Sequence, residues 1–148
     1  MRPFALFLFC CAALALLSPA TAVVPTYTPL FLGAASHIDA MNEAGEVVGW
    51  ASSGGSRAFV AGPNHPYQLL PLPPGMSSSY ANDINEAGVI VGAVGPAYAP
   101  EYYLGGRAAW WTPNGSGGYT ITLLGQLPGH TASQALALNN VGDIVGFS

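Results

Sequence analysis

The nine residues "MNEAGEVVG" at 41–49 recur as "INEAGVIVG" at 84–92 and as "LNNVGDIVG" at 138–146. A chain of 148 residues that spells one phrase three times is expected to stack similar units, each burying a face that it cannot bury alone. The match extends in both directions. Upstream, "SHIDAMN" (36–42), "SYANDIN" (79–85) and "SQALALN" (133–139) align. Downstream, "RAFVAGP" (57–63) aligns with "RAAWWTP" (107–113), and "LLPLPPG" (69–75) with "LLGQLPG" (123–129). The spacing is 43 residues from Asn42 to Asn85 and 54 from Asn85 to Asn139. Most of the extra length falls in 93–106, which reads as a loop insertion that leaves the unit's core unchanged.

Each unit reads as about four short strands. In the second unit these are expected at 81–85, 89–94, 107–112 and 119–124. The last alternates Tyr119, Ile121 and Leu123 with Thr120 and Thr122, the period of a half-buried strand. After residue 22 no stretch holds the 3.6-residue apolar period of a helix. Four strands in a period of about 40–50 residues is the signature of β-propeller blades or a related β-array. The expected fold class is therefore all-β: a β-propeller-like repeat array of four-stranded units, with units at about 34–77, 78–131 and, in part, 132–148. "TYTPLFLG" (26–33) reads as the fourth strand of a further unit. A propeller needs at least about four blades to close, so this array is expected to be incomplete.

The first 22 residues, "MRPFALFLFCCAALALLSPATA", have the layout of a secretory signal peptide. Arg2 precedes an apolar stretch ending at Leu17, Pro19 breaks any helix, and Ala20 and Ala22 suit a signal peptidase. The stretch is shorter than the roughly 20 residues a membrane span needs. The exported chain is then 23–148, with no membrane span after cleavage. It contains no cysteine, so its fold must rest on a packed core rather than disulfides. Its cations are Arg57 and Arg107 against seven carboxylates, with no lysine. Nucleic acid and anionic membrane surfaces, both read by clustered cations, are excluded as partners.

The phrases "ANDINEAGVIVG" and "GSRAFVAG", followed by a Leu-rich stretch ending in Pro-Gly, resemble the HAF family of extracellular repeat proteins. The resemblance covers nearly all of residues 30–148, with three spaced motifs in the same order. Arg57 and Arg107 stand where that family's name-giving His would be, and Ala109 replaces its Phe in the second copy. The resemblance implies an exported or surface-associated bacterial protein, β-propeller-like, with no catalytic residues to carry over. Many such proteins end in a Pro-Glu-Pro sorting tail, which this sequence does not contain.

Several residues invite a chemical reading. "DINEAG" (83–88) fits the start of a calcium loop at three positions, but Ala87 and Val94 stand where further ligands belong. Asp83 is replaced by Ala40 and Ala137 in the other copies, so no metal is assigned. The motif reads instead as structural. Asn42, Asn85 and Asn139 open type I turns; Gly45, Gly88 and Gly142 close them with positive φ; Gly49, Gly92 and Gly146 follow in the next strand. Arg57 and Arg107 are expected to pair with a nearby carboxylate or stack on an aromatic, rather than grip an anionic ligand. His37, His65 and His130 have no metal-ligand spacing. No catalytic residue and no cofactor are assigned. "NGS" (114–116) reads as a hairpin turn. In the insertion "GPAYAPEYYLGG" (95–106), Tyr98, Tyr102 and Tyr103 form the candidate ligand-binding loop, suited to stacking on a glycan or a surface protein.

The expected function is that of an exported, non-enzymatic β-repeat protein, serving as a surface, adhesion or scaffold module. The alternative is a fragment of a longer secreted propeller whose ligand site or enzyme activity lies in other blades. A secreted hydrolase using His130 or Glu101 is a third, weaker reading. The segment "DIVGF" (143–147), apolar and nearly uncharged, is expected to form an edge strand open to self-association.

Overall fold

The computed structural model describes residues 36–52, 54–63, 65–96 and 106–148. The signal segment and the strand expected at 26–33 lie outside the described residues. Within them the chain is all-β, with ten strands and no helix. The first sheet holds β1 (Ser36–Met41), β2 (Val47–Ser52), β3 (Ser56–Gly62) and β4 (His65–Leu69), in chain order. The second repeats that meander with β5 (Ser78–Ile84), β6 (Ile90–Gly95), β7 (Arg107–Pro113) and β8 (Tyr119–Leu123). The third pairs β9 (Gln134–Leu138) with β10 (Ile144–Phe147). All pairings are antiparallel, and the described strands do not close into a barrel or a ring. The strand expected at 81–85 begins earlier, because its ladder with β6 continues to Ser78 opposite Gly95.

Period-two alternation gives the first two sheets two buried faces each. In β3, Ala58 and Val60 face the second sheet while Phe59 and Ala61 face the opposite side, all four fully buried. In β7, Ala109 and Trp111 face the first sheet while Ala108 and Trp110 face the third. The larger core lies between the first two sheets, where Val48, Val60 and Leu70 meet Ile84, Ile90, Val94, Trp111 and Tyr119. The smaller lies between the second and third, built from Val91, Ala108 and Ala135 with Trp110, Leu124, Leu138 and Ile144. The sheets are thus stacked layers, and burying both faces of the second sheet requires a neighbour on each side.

The repeated phrase builds the first hairpin of every unit. At its tip the Gly88 N–H donates to the Asn85 carbonyl at 3.0 Å, and the Asn85 N–H donates to the Val89 carbonyl at 3.0 Å. The same pair of bonds recurs at Asn42 and Asn139. A type I turn closed by a left-handed residue is the usual three-residue hairpin loop, and Gly45, Gly88 and Gly142 supply φ of 79°, 73° and 95°. Asn114 opens another hairpin loop between β7 and β8, its side-chain oxygen accepting from the Ser116 and Gly118 N–H groups, with Gly115 and Gly117 both at positive φ, which accounts for "NGS".

The later glycine of the phrase answers a different constraint. The first strand of each unit bulges at the same place, so that Asp39, Asn82 and Leu136 are extra residues against their partner strands. The preceding carbonyl is pushed toward the partner. A Cβ on Gly49 would lie 1.9 Å from the His37 oxygen, one on Gly92 1.9 Å from that of Tyr80, and one on Gly146 2.0 Å from that of Gln134. Only a residue without a side chain fits there.

Neighbouring units are joined by repeat-encoded hydrogen bonds. The Asn42 amide donates to the Asn85 carbonyl at 3.2 Å, and the Asn85 amide to the Asn139 carbonyl at 3.1 Å. The Ser79 hydroxyl accepts from the Ala58 N–H at 2.9 Å, and Ser133 does the same for Ala108 at 3.0 Å. The turn asparagine is therefore a turn former and a rung between units at once.

Candidate functional site

Opposite the turns, β1, β5 and β9 run side by side and open into a cleft of about 400 Å³. Its walls come from cross-strand pairs at equivalent places in the three units. His37 lies opposite Trp50, Tyr80 opposite Ala93, and Gln134 opposite Phe147. Asp39 and Asn82, the bulge residues of the first two units, line it as well. Asp39 stands two residues after His37 and Asn82 two after Tyr80, so strand alternation puts each on the face of the cleft residue before it, and the bulge shifts the register only of the residues that follow.

The aromatic wall is continuous. The His37 ring stacks on Trp50 with centroids 5.7 Å apart and planes 15° from parallel. Tyr80 meets Trp50 edge to face at 5.8 Å. His37 Nδ1 also lies 3.3 Å from Asp39 Oδ1. Burial pushes the Asp39 carboxyl above its ordinary range, and the hydrogen bond and charge of His37 pull against that shift. The Asn82 amide donates to the Ala135 carbonyl at 2.7 Å, which fixes the side chain and leaves its oxygen as an acceptor. The Ser78 hydroxyl is held by the carbonyls of Gly95 and Pro96 at 3.1 and 3.0 Å. No arginine or lysine lines the cleft.

A second polar cluster lies between the first two sheets. Buried Glu46 accepts from the Asn42 amide at 2.8 Å and sits 3.3 Å from His65 Nε2. The Tyr119 ring lies 6.1 Å from that of His65, and its hydroxyl is buried with no hydrogen-bond partner. Burial, with the negative charge of Glu46, pushes the Tyr119 phenol up to about 12. The cluster is closed in by the units rather than open to a ligand; Tyr119 and Glu46 are both largely buried.

No family model matches the chain. No curated protein and no solved structure matches it either.

The residues singled out in the sequence fall in several places. The three Asn–Gly motifs form the turn end of the units. Tyr98, Tyr102 and Tyr103 lie outside the described residues, although Gly95 and Gly106 on either side of that insertion line the cleft. Arg57 makes neither the ion pair nor the ring stack expected of it among the described residues. Its guanidinium donates to the Leu70 carbonyl at 3.2 Å, holding the Leu-rich segment against β3. Arg107 is exposed opposite Val94. The histidines are dispersed: His37 in the cleft, His65 on Glu46, and His130 in the turn after Leu127. Among the described residues no three His, Cys, Asp or Glu side chains converge.

Asp83 has a structural task. One of its oxygens accepts from the Ile84 N–H and the other from the Leu138 N–H of the next unit, each at 2.9 Å. The cleft residues Trp50, Tyr80, Asp39, Asn82 and Gln134 were not distinguished by spacing or composition. The signal that finds them is disagreement between copies: His37, Tyr80 and Gln134 share one place in the repeat, two of them rings and the third an amide.

Proposed function

We propose that this chain is an exported, non-enzymatic β-repeat module of the HAF type, a surface, adhesion or scaffold protein that holds its ligand in the cleft. In this reading the stacked sheets are blades of a propeller-like array, and residues 1–22 direct the chain out of the cell. The signal-like N-terminus, the three-fold phrase and the face-to-face stacking of two four-stranded meanders support it. The observation that carries the assignment of the site is the change of residue type within the repeat. Positions that build turns and rungs keep Asn, Gly and Ser in every unit, while the cleft-lining pairs His37–Trp50, Tyr80–Ala93 and Gln134–Phe147 differ from unit to unit. These unlike side chains give the cleft an aromatic side and a polar side, which identical copies would not provide.

The partner expected from the sequence, a glycan or a surface protein, suits a wall that is aromatic on one side and polar on the other. Self-association is a second proposed property. Val145, on β10 of the two-stranded third sheet, is 61% exposed.

The test is export followed by binding. The secreted chain should begin at Val23 by N-terminal sequencing. It should bind isolated cell-envelope material, and a variant carrying both Trp50→Ala and Tyr80→Ala should not. Equal retention of parent and variant would remove the cleft from the account, and turnover of ester or glycan substrates would replace the binding module with an enzyme.

A further inference from the structure

We propose that the cleft recognises an uncharged pyranose sugar, presented by a neutral glycan chain; the proposal rests on the reading of the protein as a binding module and adds the ligand class. A pyranose ring has C–H groups on its broad faces and hydroxyls around its rim. It therefore needs an apolar surface to lie on and hydrogen-bonding groups at the side. The His37–Trp50 stack with Tyr80 at its edge supplies the surface. Asp39, Asn82 and Gln134 supply the side.

The polar groups are biased toward accepting. Asp39 Oδ1 is engaged by His37 and the other oxygen has no hydrogen-bond partner among the described residues. The Asn82 amide nitrogen is committed to Ala135, which leaves its carbonyl oxygen. A ligand must then bring donors, and sugar hydroxyls do. The charge of the cleft narrows the class further. With a carboxylate and, among the described residues, no arginine or lysine in the lining, a uronic or sialic acid would place its charge beside Asp39 with only the His37 ring, already engaged by that carboxylate, to offset it. A quaternary ammonium is the other ligand that aromatic residues and a carboxylate attract, but it needs rings facing one another across an empty centre. Here the rings are packed against each other as one wall, with centroids 5.7 and 5.8 Å apart. The volume of about 400 Å³ lies within the range of small-molecule sites.

The experiment titrates the full chain with cellotetraose, xylotetraose and mannotetraose, and in parallel with trigalacturonate and choline. Tryptophan fluorescence and calorimetry are the readouts. At least one neutral tetrasaccharide should bind saturably. Trp50→Ala should weaken it ten-fold or more, Asp39→Asn about three-fold or more, and Glu43→Gln at the opposite end should leave it unchanged. Asp39→Asn keeps the shape of a solvent-accessible side chain, so its effect does not depend on whether the tryptophan variant folds. Absence of saturable binding by all three neutral sugars, or equal binding by parent, Trp50→Ala and Asp39→Asn, overturns the proposal. Trp50-dependent binding of choline or trigalacturonate alone would overturn the sugar class while leaving the binding module standing. Cleavage of any of these saccharides would overturn the module itself.

Discussion

The two ends of strands β1, β5 and β9 were built under opposite rules. At the turn end, Asn42, Asn85 and Asn139 make the same loop three times and reach across to one another. At the cleft end, only a few residues away along the same strands, the facing positions are His37, Tyr80 and Gln134. The difference teaches where a repeat protein keeps its freedom. A turn needs a side-chain acceptor and a left-handed glycine, and few residues satisfy it. A cleft wall needs only strand geometry behind it, so its side chains are open to change. Substitutions at the turn end should therefore act on stability, and those at the cleft end on binding.

The strongest way to break that division is at the glycines beside the bulges. Gly92→Ala drives a methyl into the Tyr80 carbonyl, where backbone must move. It should cost about 3 kcal/mol or more in urea unfolding, or prevent folding. The rungs come next. Asn85→Ala strands the N–H groups of Ala87 and Val89 and removes the bond to Asn139, and should cost about 2 kcal/mol. Asn139→Ala, at an exposed copy of the same turn, should cost about half as much because water replaces the lost acceptor. Equal losses at the two positions would show that the turn bonds common to both set the cost, rather than burial or the rung that Asn85 donates.

Tyr119 sharpens the comparison through pH. Burial holds its phenol neutral in the folded protein up to about 12, whereas an unfolded tyrosine ionises near the ordinary value of 10.0. Above that lower value the unfolded chain binds fewer protons than the folded one, so stability present below pH 10 should fall as pH rises toward about 12. Tyr119→Phe should remove this tyrosine's share of the alkaline loss. At neutral pH it should leave stability unchanged or raise it by up to about 1 kcal/mol, since the buried hydroxyl has no partner. Denaturant midpoints from pH 7 upward check both statements.

The smallest effect is expected at the cleft. Asp39→Asn should change stability by no more than about 0.5 kcal/mol. Because burial raises the carboxyl's pKa, the folded protein holds that proton to higher pH than the unfolded chain does. The parent should lose a little stability as pH rises through that raised pKa, and the variant should not. A large stability loss in Asp39→Asn would erase the contrast between the two ends.

Much of the fold was legible before any coordinates. Asn-x-x-Gly before an apolar run specifies a hairpin by local chemistry, and three copies specify stacked units. The alternation at Tyr119, Ile121 and Leu123 marked a strand for the same local reason. Asp83 was legible only in part. Its absence from the other copies removed a calcium loop from consideration, but its bond to Leu138 depends on where the next unit sits. Arg57 was misread because a cation in a sparsely charged sequence suggests a carboxylate partner. The carbonyl it holds is brought within reach only when the Leu-rich segment folds back on β3. The cleft was least legible. Its residues are separated by up to 110 positions, from His37 to Phe147, and no window along the chain contains them together.

The sequence by itself determined the turns, the strand pattern and the number of copies, because these follow from backbone preferences of a few adjacent residues. Tertiary structure alone decided which copies of a repeated position face one another and that Asp39 and Asn82 meet in one cleft. It also decided that three unlike pairs share one wall. Those facts depend on how whole sheets stack, and stacking is set by the summed burial of side chains far apart in the chain.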